Sequence, residues 1–253
     1  MCGIAGWYKY GEAKVTEEEL TELLINLQVR GRDATGIAWK NRKYHTLKAS
    51  GPAEKFIELM EFKADVDKVL NSPFVFLHVR QATHGDPKQN KNNHPIMNKK
   101  GLIIHNGVIY PDKELDGAIG ETDSEQLMLH IQEFGWKGIE RVSGSMAIAY
   151  VDFAKPGFFL YAKGNPLVWA YDPDRQILFF CSTRDILYGS ISTGFWLGQV
   201  PKVTADDVPP GMVYQVTKDG ISEIEKVGPK AFAKVVYVND DVGAKYSWIP
   251  GYH

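Results

Sequence analysis

At 253 residues, 44% hydrophobic and 24% charged, the chain is long enough to bury a sizeable core and has the balance of a soluble globular protein. A net charge of -2 and a pI of about 6.4 leave no basic footprint for nucleic acid or an anionic membrane, and no apolar run approaches the ~20 residues of a transmembrane helix. Two cysteines, Cys2 and Cys181, supply neither a disulfide framework nor a thiolate metal site, and with no leader segment in view the expected compartment is the cytoplasm.

Taken in order, Ile4-Ala5-Gly6-Trp7-Tyr8 is an apolar run that predicts a buried strand and fixes the amino terminus inside the fold. Thr16 followed by Glu19 has capping-box spacing, and Leu20, Leu23, Leu24 and Leu27 continue at helical period to a stop at Gly31. Ile37–Trp39 and Tyr44–Leu47 predict paired strands around Asn41-Arg42-Lys43. Pro52 opens a helical pattern towards Leu70, with Phe56, Ile57 and Met60 as its apolar face. Pro73–Arg80 is strand-like, with His78 and Arg80 on one face by alternation. A polar loop from Thr83 to Asn93 follows, expected to be mobile at the surface, with the lysines at 88, 91, 99 and 100 as a solvated face. Leu102–His105 predicts a strand ending at the turn signal Asn106-Gly107. Thr122 and Glu125 form a second capping-box pattern ahead of a helix with Leu127, Met128 and Ile131 inward. Met146–Val151, Phe158–Ala162, Val168–Tyr171, Ile177–Cys181 and Met212–Val216 complete the predicted strands. Strands and helices come in blocks, which disfavours a doubly wound parallel sheet. One domain over residues 2–230 is expected, with an aromatic tail at 231–253 that docks on it or on a partner.

The first three residues carry chemistry of their own. Removal of Met1, favoured by the small second side chain, would give Cys2 a thiol and a free α-amine on one carbon. A thiol with a pKa of about 8.5 needs a base at neutral pH, and an α-amine of about 7.7–8.0 can serve as one. That is the arrangement of an N-terminal nucleophile. A buried structural Cys is the competing reading.

Five short constellations occur in order: Cys2-Gly3-Ile4-Ala5-Gly6, Arg30-Gly31-Arg32-Asp33-Ala34-Thr35-Gly36, His78 to Gly85, His105-Asn106-Gly107, and Glu121 to Glu125. Together they resemble class II glutamine amidotransferases within the N-terminal nucleophile hydrolases. The nearest likeness is to the glutaminase half of glucosamine-6-phosphate synthase. It is strong over the first two-thirds and continues weakly through Gly164-Asn165-Pro166-Leu167 and Cys181–Asp185. The resemblance implies an α+β fold, a four-layer αββα sandwich of two antiparallel sheets. It implies glutamine as substrate, hydrolysed through a Cys2 thioester with loss of ammonia, without metal or organic cofactor. It assigns the oxyanion donors to the Asn106 side chain and the Gly107 N–H, the α-carboxylate to Arg80, and the α-ammonium to Asp123. Thr83 and His84 would line the pocket, and Arg30 and Gly31 would pack around the nucleophile's amine.

Each residue has a structural alternative. Asp123 suits a helix first turn, Arg80 a surface ion pair and Asn106-Gly107 a turn. His78, His84, His94 and His105 lack regular ligand spacing for a metal. Family members usually carry an aromatic residue after the substrate-binding Arg, where it gates ammonia passage; here it is Gln81. The length leaves no room for a fused synthase domain, so the ammonia acceptor is expected to be a separate subunit. Two rival functions remain open: an amidohydrolase for another γ-glutamyl or amide compound, and a catalytically idle glutamine-sensing module.

Overall fold

Three apolar clusters define the architecture of the computed structural model, which describes residues 1–191 and 203–228. The aromatic tail proposed at 231–253 lies outside the described residues.

In chain order, the first half comprises β1 (Gly3–Lys9), α1 (Glu17–Leu27), β2 (Ala34–Asn41), β3 (Lys43–Ser50), α2 (Ala53–Phe56), α3 (Met60–Leu70), β4 (Phe74–Arg80), β5 (Ile96–Met97) and β6 (Gly101–Pro111). The second half comprises α4 (Asp123–Phe134), β7 (Val142–Asp152), β8 (Phe158–Lys163), β9 (Val168–Asp172), β10 (Ile177–Cys181), α5 (Arg184–Ile191), β11 (Ala205–Asp207), β12 (Met212–Thr217) and β13 (Gly220–Lys226). A seven-stranded sheet runs β11-β9-β10-β1-β4-β2-β3, and a six-stranded sheet runs β13-β12-β8-β7-β6-β5. Every strand pairing in both sheets is antiparallel.

Alternation assigns the faces. Ile4, Phe74, Phe76 and Phe180 of the first sheet meet Leu102, Ile104, Ala149, Phe158 and Leu160 of the second. The intervening residues Ala5, Trp7, Val75, Leu77 and Val79 face outward beneath Leu20, Leu23 and Leu27 of α1, Phe62 of α3 and Leu187 of α5. On the far side Ile103, Ile148 and Tyr161 pack under Leu127, Met128 and Ile131 of α4. Helices, sheet, sheet, helix: the expected αββα sandwich is what the chain forms. Both sheets are covered on both faces, so strands such as β4 are buried along their whole length.

Most predicted elements fall where the sequence placed them, and the capping box of α1 is formed, with Thr16 Oγ1 accepting from Glu19 N–H and Glu19 returning the bond to Thr16 N–H at 2.9 Å. Three local expectations are corrected. The helical pattern from Pro52 to Leu70 breaks at Ile57–Leu59 into α2 and α3, and Met60 is 84% exposed rather than part of the apolar face. Asn106-Gly107 is no turn: β6 runs through both residues, pairing Asn106 with Ala147 and Gly107 with Met146. Thr122 caps α4 without a side-chain bond. Glu125 instead accepts from the Ile119 and Gly120 N–H groups at 2.8 and 2.7 Å, anchoring the preceding loop. The helical run does stop at Gly31, after a 3-10 turn over Gln28–Arg30 extends α1; the glycine there is extended, with φ 173°, and is needed for close packing against Arg80.

Candidate active site

The period of two decides which side chains reach the gap between the sheets. Ile4 lies in the inter-sheet core, so Cys2 continues the same face. Phe74 and Phe76 do likewise on β4, which directs His78 and Arg80 there, and Leu102 and Ile104 direct Asn106 there from β6. The register of β1 on β4 pairs Gly3 with Val79, which sets Cys2 beside Arg80. The start of β1 is tied down by reciprocal bonds between Ile4 and Ser182, 2.9 Å from the Ile4 N–H to Ser182 Oγ and 2.8 Å from the Ser182 N–H to Ile4 O.

Cys2 is half-buried. Its Sγ–H lies 3.5 Å from the carbonyl oxygen of Gln81, and its own carbonyl accepts from Arg30 Nε at 2.8 Å. Burial pushes the thiol up; the Gln81 contact, the chain's amino terminus and the Arg80 guanidinium pull it down, while Asp123 raises it. The nucleophile candidate is therefore within electrostatic reach of both Arg80 and Asp123. Cys181 is fully buried and its thiol is pushed up to about 12, which removes it as a competing thiolate at neutral pH.

Asn106 is 0% exposed, yet neither Oδ1 nor Nδ2 has a hydrogen-bond partner. Its backbone is held: Asn165 Nδ2 donates to Asn106 O at 2.9 Å and to Ser145 Oγ at 3.2 Å. Buried amides are ordinarily satisfied, and leaving one unpaired costs ~1–3 kcal/mol per polar group. An amide fixed by its backbone and left unpaired at the inter-sheet gap is thus available for something that arrives. Beside it Gly107 has φ 156°, and a Cβ there would lie 2.0 Å from Ser145 O, so only glycine fits.

Asp123 stands in the first turn of α4, where the helix dipole favours a carboxylate. Its Oδ2 accepts from the Ile109 N–H at 2.9 Å, which locks α4 onto the far end of β6. His105, on the outward face, completes that lock through Ser124 Oγ at 2.8 Å.

Arg80 is 3% exposed and no surface ion pair. Its Nη1 donates to Asn93 Oδ1 at 2.9 Å, and its Nη2 donates to the carbonyls of His84 and Gly85. The guanidinium fork thus ties down the 83–93 loop in this state. Thr83 and His84 are exposed on that loop, joined by a 3.2 Å contact between Thr83 Oγ1 and His84 Nδ1. The loop is less superficial than its composition suggests. Asn92 and Asn93 are buried, and Lys48 Nζ donates to Asn93 O and Pro95 O at 2.7 and 3.0 Å.

Behind Arg80, the His78 and His94 rings stack at 4.1 Å, and His78 Nε2 meets His105 O at 3.1 Å. Burial holds both imidazoles neutral, His78 down to about 3. Among the described residues, no group of three His, Cys, Asp or Glu side chains is arranged to hold a metal ion, and no helix is long and apolar enough to cross a membrane.

Arg30, Arg80 and Asp123 thus lie within hydrogen-bond or electrostatic reach of Cys2, Asn106 is directed to the same inter-sheet gap with Gly107 beside it, and Thr83 and His84 sit on the loop that Arg80 ties down. Sequence reasoning assigned no role to Asp33, Lys48, Asn93 or Asn165. Asp33 and Asn165 lie inside motifs already picked out, whereas Lys48 and Asn93 carried no signal because their partners are backbone carbonyls and a side chain distant in sequence.

A two-sheet sandwich with a cysteine at the head of a central strand is the fold of N-terminal nucleophile hydrolases. It superposes on glutamine phosphoribosylpyrophosphate amidotransferase from B. subtilis with a TM-score of 0.65 and 17% identity, covering 89% of this chain and 49% of that one. In sequence, the chain is 32% identical over 195 residues to the isomerizing glutamine–fructose-6-phosphate aminotransferase of Chlorobaculum tepidum, covering 66% of this chain and 30% of that enzyme. It is 33% identical over 190 residues to the enzyme of the same name from Sulfolobus acidocaldarius, covering 66% of this chain and 31% of the relative. No family model matches the chain. The chain is thus related to class II glutamine amidotransferases, as the five motifs indicate, and spans less than a third of the length of these curated relatives.

Proposed function

We propose that the chain hydrolyses the side-chain amide of glutamine to glutamate and ammonia through a Cys2 thioester. The observation that carries this reading is the fully buried Asn106 amide with no partner, beside a glycine that no other residue can replace. With Met1 removed, the α-amine of Cys2 takes the thiol proton and Sγ attacks the amide carbon. The developing oxyanion is received by Asn106 Nδ2 and the Gly107 N–H. Collapse of the tetrahedral adduct breaks the C–N bond, and the amine returns its proton to the departing ammonia. Water, giving a proton to the same α-amine, then attacks the thioester carbon with its oxyanion again on Asn106 and Gly107; the C–S bond breaks, the thiolate takes the proton back and glutamate leaves. Arg80 holds the α-carboxylate by a bidentate fork once the loop carbonyls yield it, Asp123 holds the α-ammonium, and Thr83 and His84 border the pocket. Arg30 fixes the Cys2 carbonyl, and Gly31 permits the close approach of its segment to the Arg80–Gln81 backbone.

In this reading residues 2–230 act as a glutaminase unit in the cytoplasm, residues 231–253 dock on it or on a partner, and a separate synthase or transferase subunit accepts the ammonia. Gln81 stands exposed and polar directly after Arg80, and in this reading the purified chain releases ammonia on its own. The test is glutamate release from glutamine, with asparagine and γ-glutamyl peptides as comparators and with candidate partners added. Turnover of glutamine alone supports the reading. Preference for a γ-glutamyl peptide points to the amidohydrolase, and glutamine binding without turnover under every condition points to the sensor.

A further inference from the structure

The segment Gly31-Arg32-Asp33 leads into β2 and lies directly against the chain leaving β4. A Cβ on Gly31 would stand 2.4 Å from the Arg80 carbonyl carbon and 2.5 Å from the Gln81 nitrogen. The Asp33 N–H donates to Arg80 O at 2.9 Å, and the Gly51 N–H holds Asp33 O at 2.9 Å. With its backbone pinned in this way, the Asp33 carboxylate accepts through Oδ2 from the Ala82 N–H at 2.7 Å and from Gln81 Nε2 at 3.3 Å. The Ala82 N–H belongs to the same peptide unit as the Gln81 carbonyl. A planar trans peptide points its C=O and N–H in opposite directions, so a hold on one aims the other. The Gln81 carbonyl points to Cys2 Sγ, 3.5 Å away.

We infer that Asp33 is a positioning residue that aims the Gln81 carbonyl at the leaving-group side of the reacting carbon, and so lets the site distinguish a side-chain amide from a carboxylate. The inference rests on the glutaminase reading. In that reading one substituent of the reacting carbon, its oxygen, is received by Asn106 and Gly107. The remaining substituent is an –NH2 in glutamine and an oxygen in glutamate. A carbonyl beside the sulfur is an acceptor only: it takes a hydrogen from the –NH2 and repels the carboxylate oxygen. Sites built to hydrogen-bond one group reject the analogue that cannot reciprocate. The consequence is release of the product in preference to the substrate, set by a residue that touches neither.

The test is binding of glutamine and of glutamate to full-length Cys2→Ala protein, where no chemistry occurs, read as the ratio of the glutamate Kd to the glutamine Kd. That ratio is independent of the fraction of protein correctly folded, so a merely structural role for Asp33 would not move it. Adding Asp33→Ala is expected to lower the ratio about tenfold, the worth of one hydrogen bond made or refused. Asp33→Asn, whose Oδ1 can still accept from the Ala82 N–H, is expected to retain it. Asp33→Glu moves the acceptor while keeping the charge, is expected to lower the ratio as well, and serves if the alanine variant folds poorly. An unchanged ratio in both, or no preference for glutamine in the Cys2→Ala parent, overturns the inference. Failure of the parent to bind glutamine, together with no glutamate release by the unsubstituted chain, overturns the glutaminase reading and this inference with it.

Discussion

Replacing Asn106 by alanine is expected to separate catalysis from stability. The side chain is fully buried, but both of its polar atoms are unpaired, so its removal breaks no hydrogen bond in the resting protein. The bond that holds this stretch of β6, from Asn165 Nδ2 to the Asn106 carbonyl at 2.9 Å, belongs to the backbone and survives. Deleting a satisfied core side chain of similar size costs ~2–5 kcal/mol, whereas here relief of ~1–3 kcal/mol of desolvation per unpaired group offsets the void. Stability is therefore expected to stay within about 1 kcal/mol of the parent. Loss of one oxyanion donor, in contrast, is expected to lower kcat by roughly 10²–10³-fold, or ~2.7–4 kcal/mol of transition-state stabilisation. Because the oxyanion exists only on the reaction path, kcat and kcat/KM should fall together with KM little changed. Steady-state kinetics and a denaturant titration on the same preparation provide both numbers. A change in KM alone, or a loss of several kcal/mol in stability with kcat intact, would refute the reasoning.

Arg80→Lys is expected to raise the glutamine KM about tenfold or more, since a point ammonium cannot reproduce the planar fork on the α-carboxylate, and Asp123→Asn should act in the same direction through the α-ammonium; KM values within about twofold of the parent would remove both residues from substrate binding. Gly107→Ala places a Cβ 2.0 Å from Ser145 O, so it is expected to cost several kcal/mol, about 3 or more, and to abolish turnover; an unperturbed melting temperature would show that β6 tolerates a side chain there. Stability should depend on pH through the neutral histidines. The unfolded chain protonates His78 below about 6.5 while the folded chain resists until about 3, so stability present at neutral pH is lost as pH falls through that window, by up to ~1.4 kcal/mol per pH unit for each such imidazole. Denaturation midpoints at pH 7 and 5, with a shallower dependence in His94→Phe, check this; identical slopes in parent and variant would contradict it.

The layers of the fold were legible because each rests on local pattern. Leu20, Leu23, Leu24 and Leu27 spell one helical face, and the apolar runs of β1, β4 and β10 are dense enough to mark strands buried on both faces. Where the sequence misled, tertiary context overrode a short-range signal. Asn106-Gly107 has turn chemistry, but pairing with Ala147 and Met146 carries the strand straight through it. Thr122 and Glu125 have capping-box spacing, yet Glu125 is drawn off by the Ile119 and Gly120 N–H groups. The composition of the 83–93 loop reads as solvated surface, and only the folded arrangement shows Arg80 and Lys48 threading donors into its carbonyls. The two short strands β5 and β11 have too few residues to show a period. For the site, the residue types at Cys2, Arg80, Asn106, Gly107 and Asp123 were visible as motifs; their convergence depends on the register of β1 on β4 and on the stacking of two sheets, which no single stretch encodes.

The central claim, that Cys2 is an N-terminal nucleophile for glutamine, is tested most directly by treating the purified protein with a glutamine-analogue electrophile and mapping the adduct by mass spectrometry. The account predicts one stoichiometric adduct on an amino-terminal peptide that begins at Cys2 and lacks Met1, with Cys181 unmodified and labelling suppressed by excess glutamine. An adduct on Cys181 alone, or active protein that retains Met1, would contradict it.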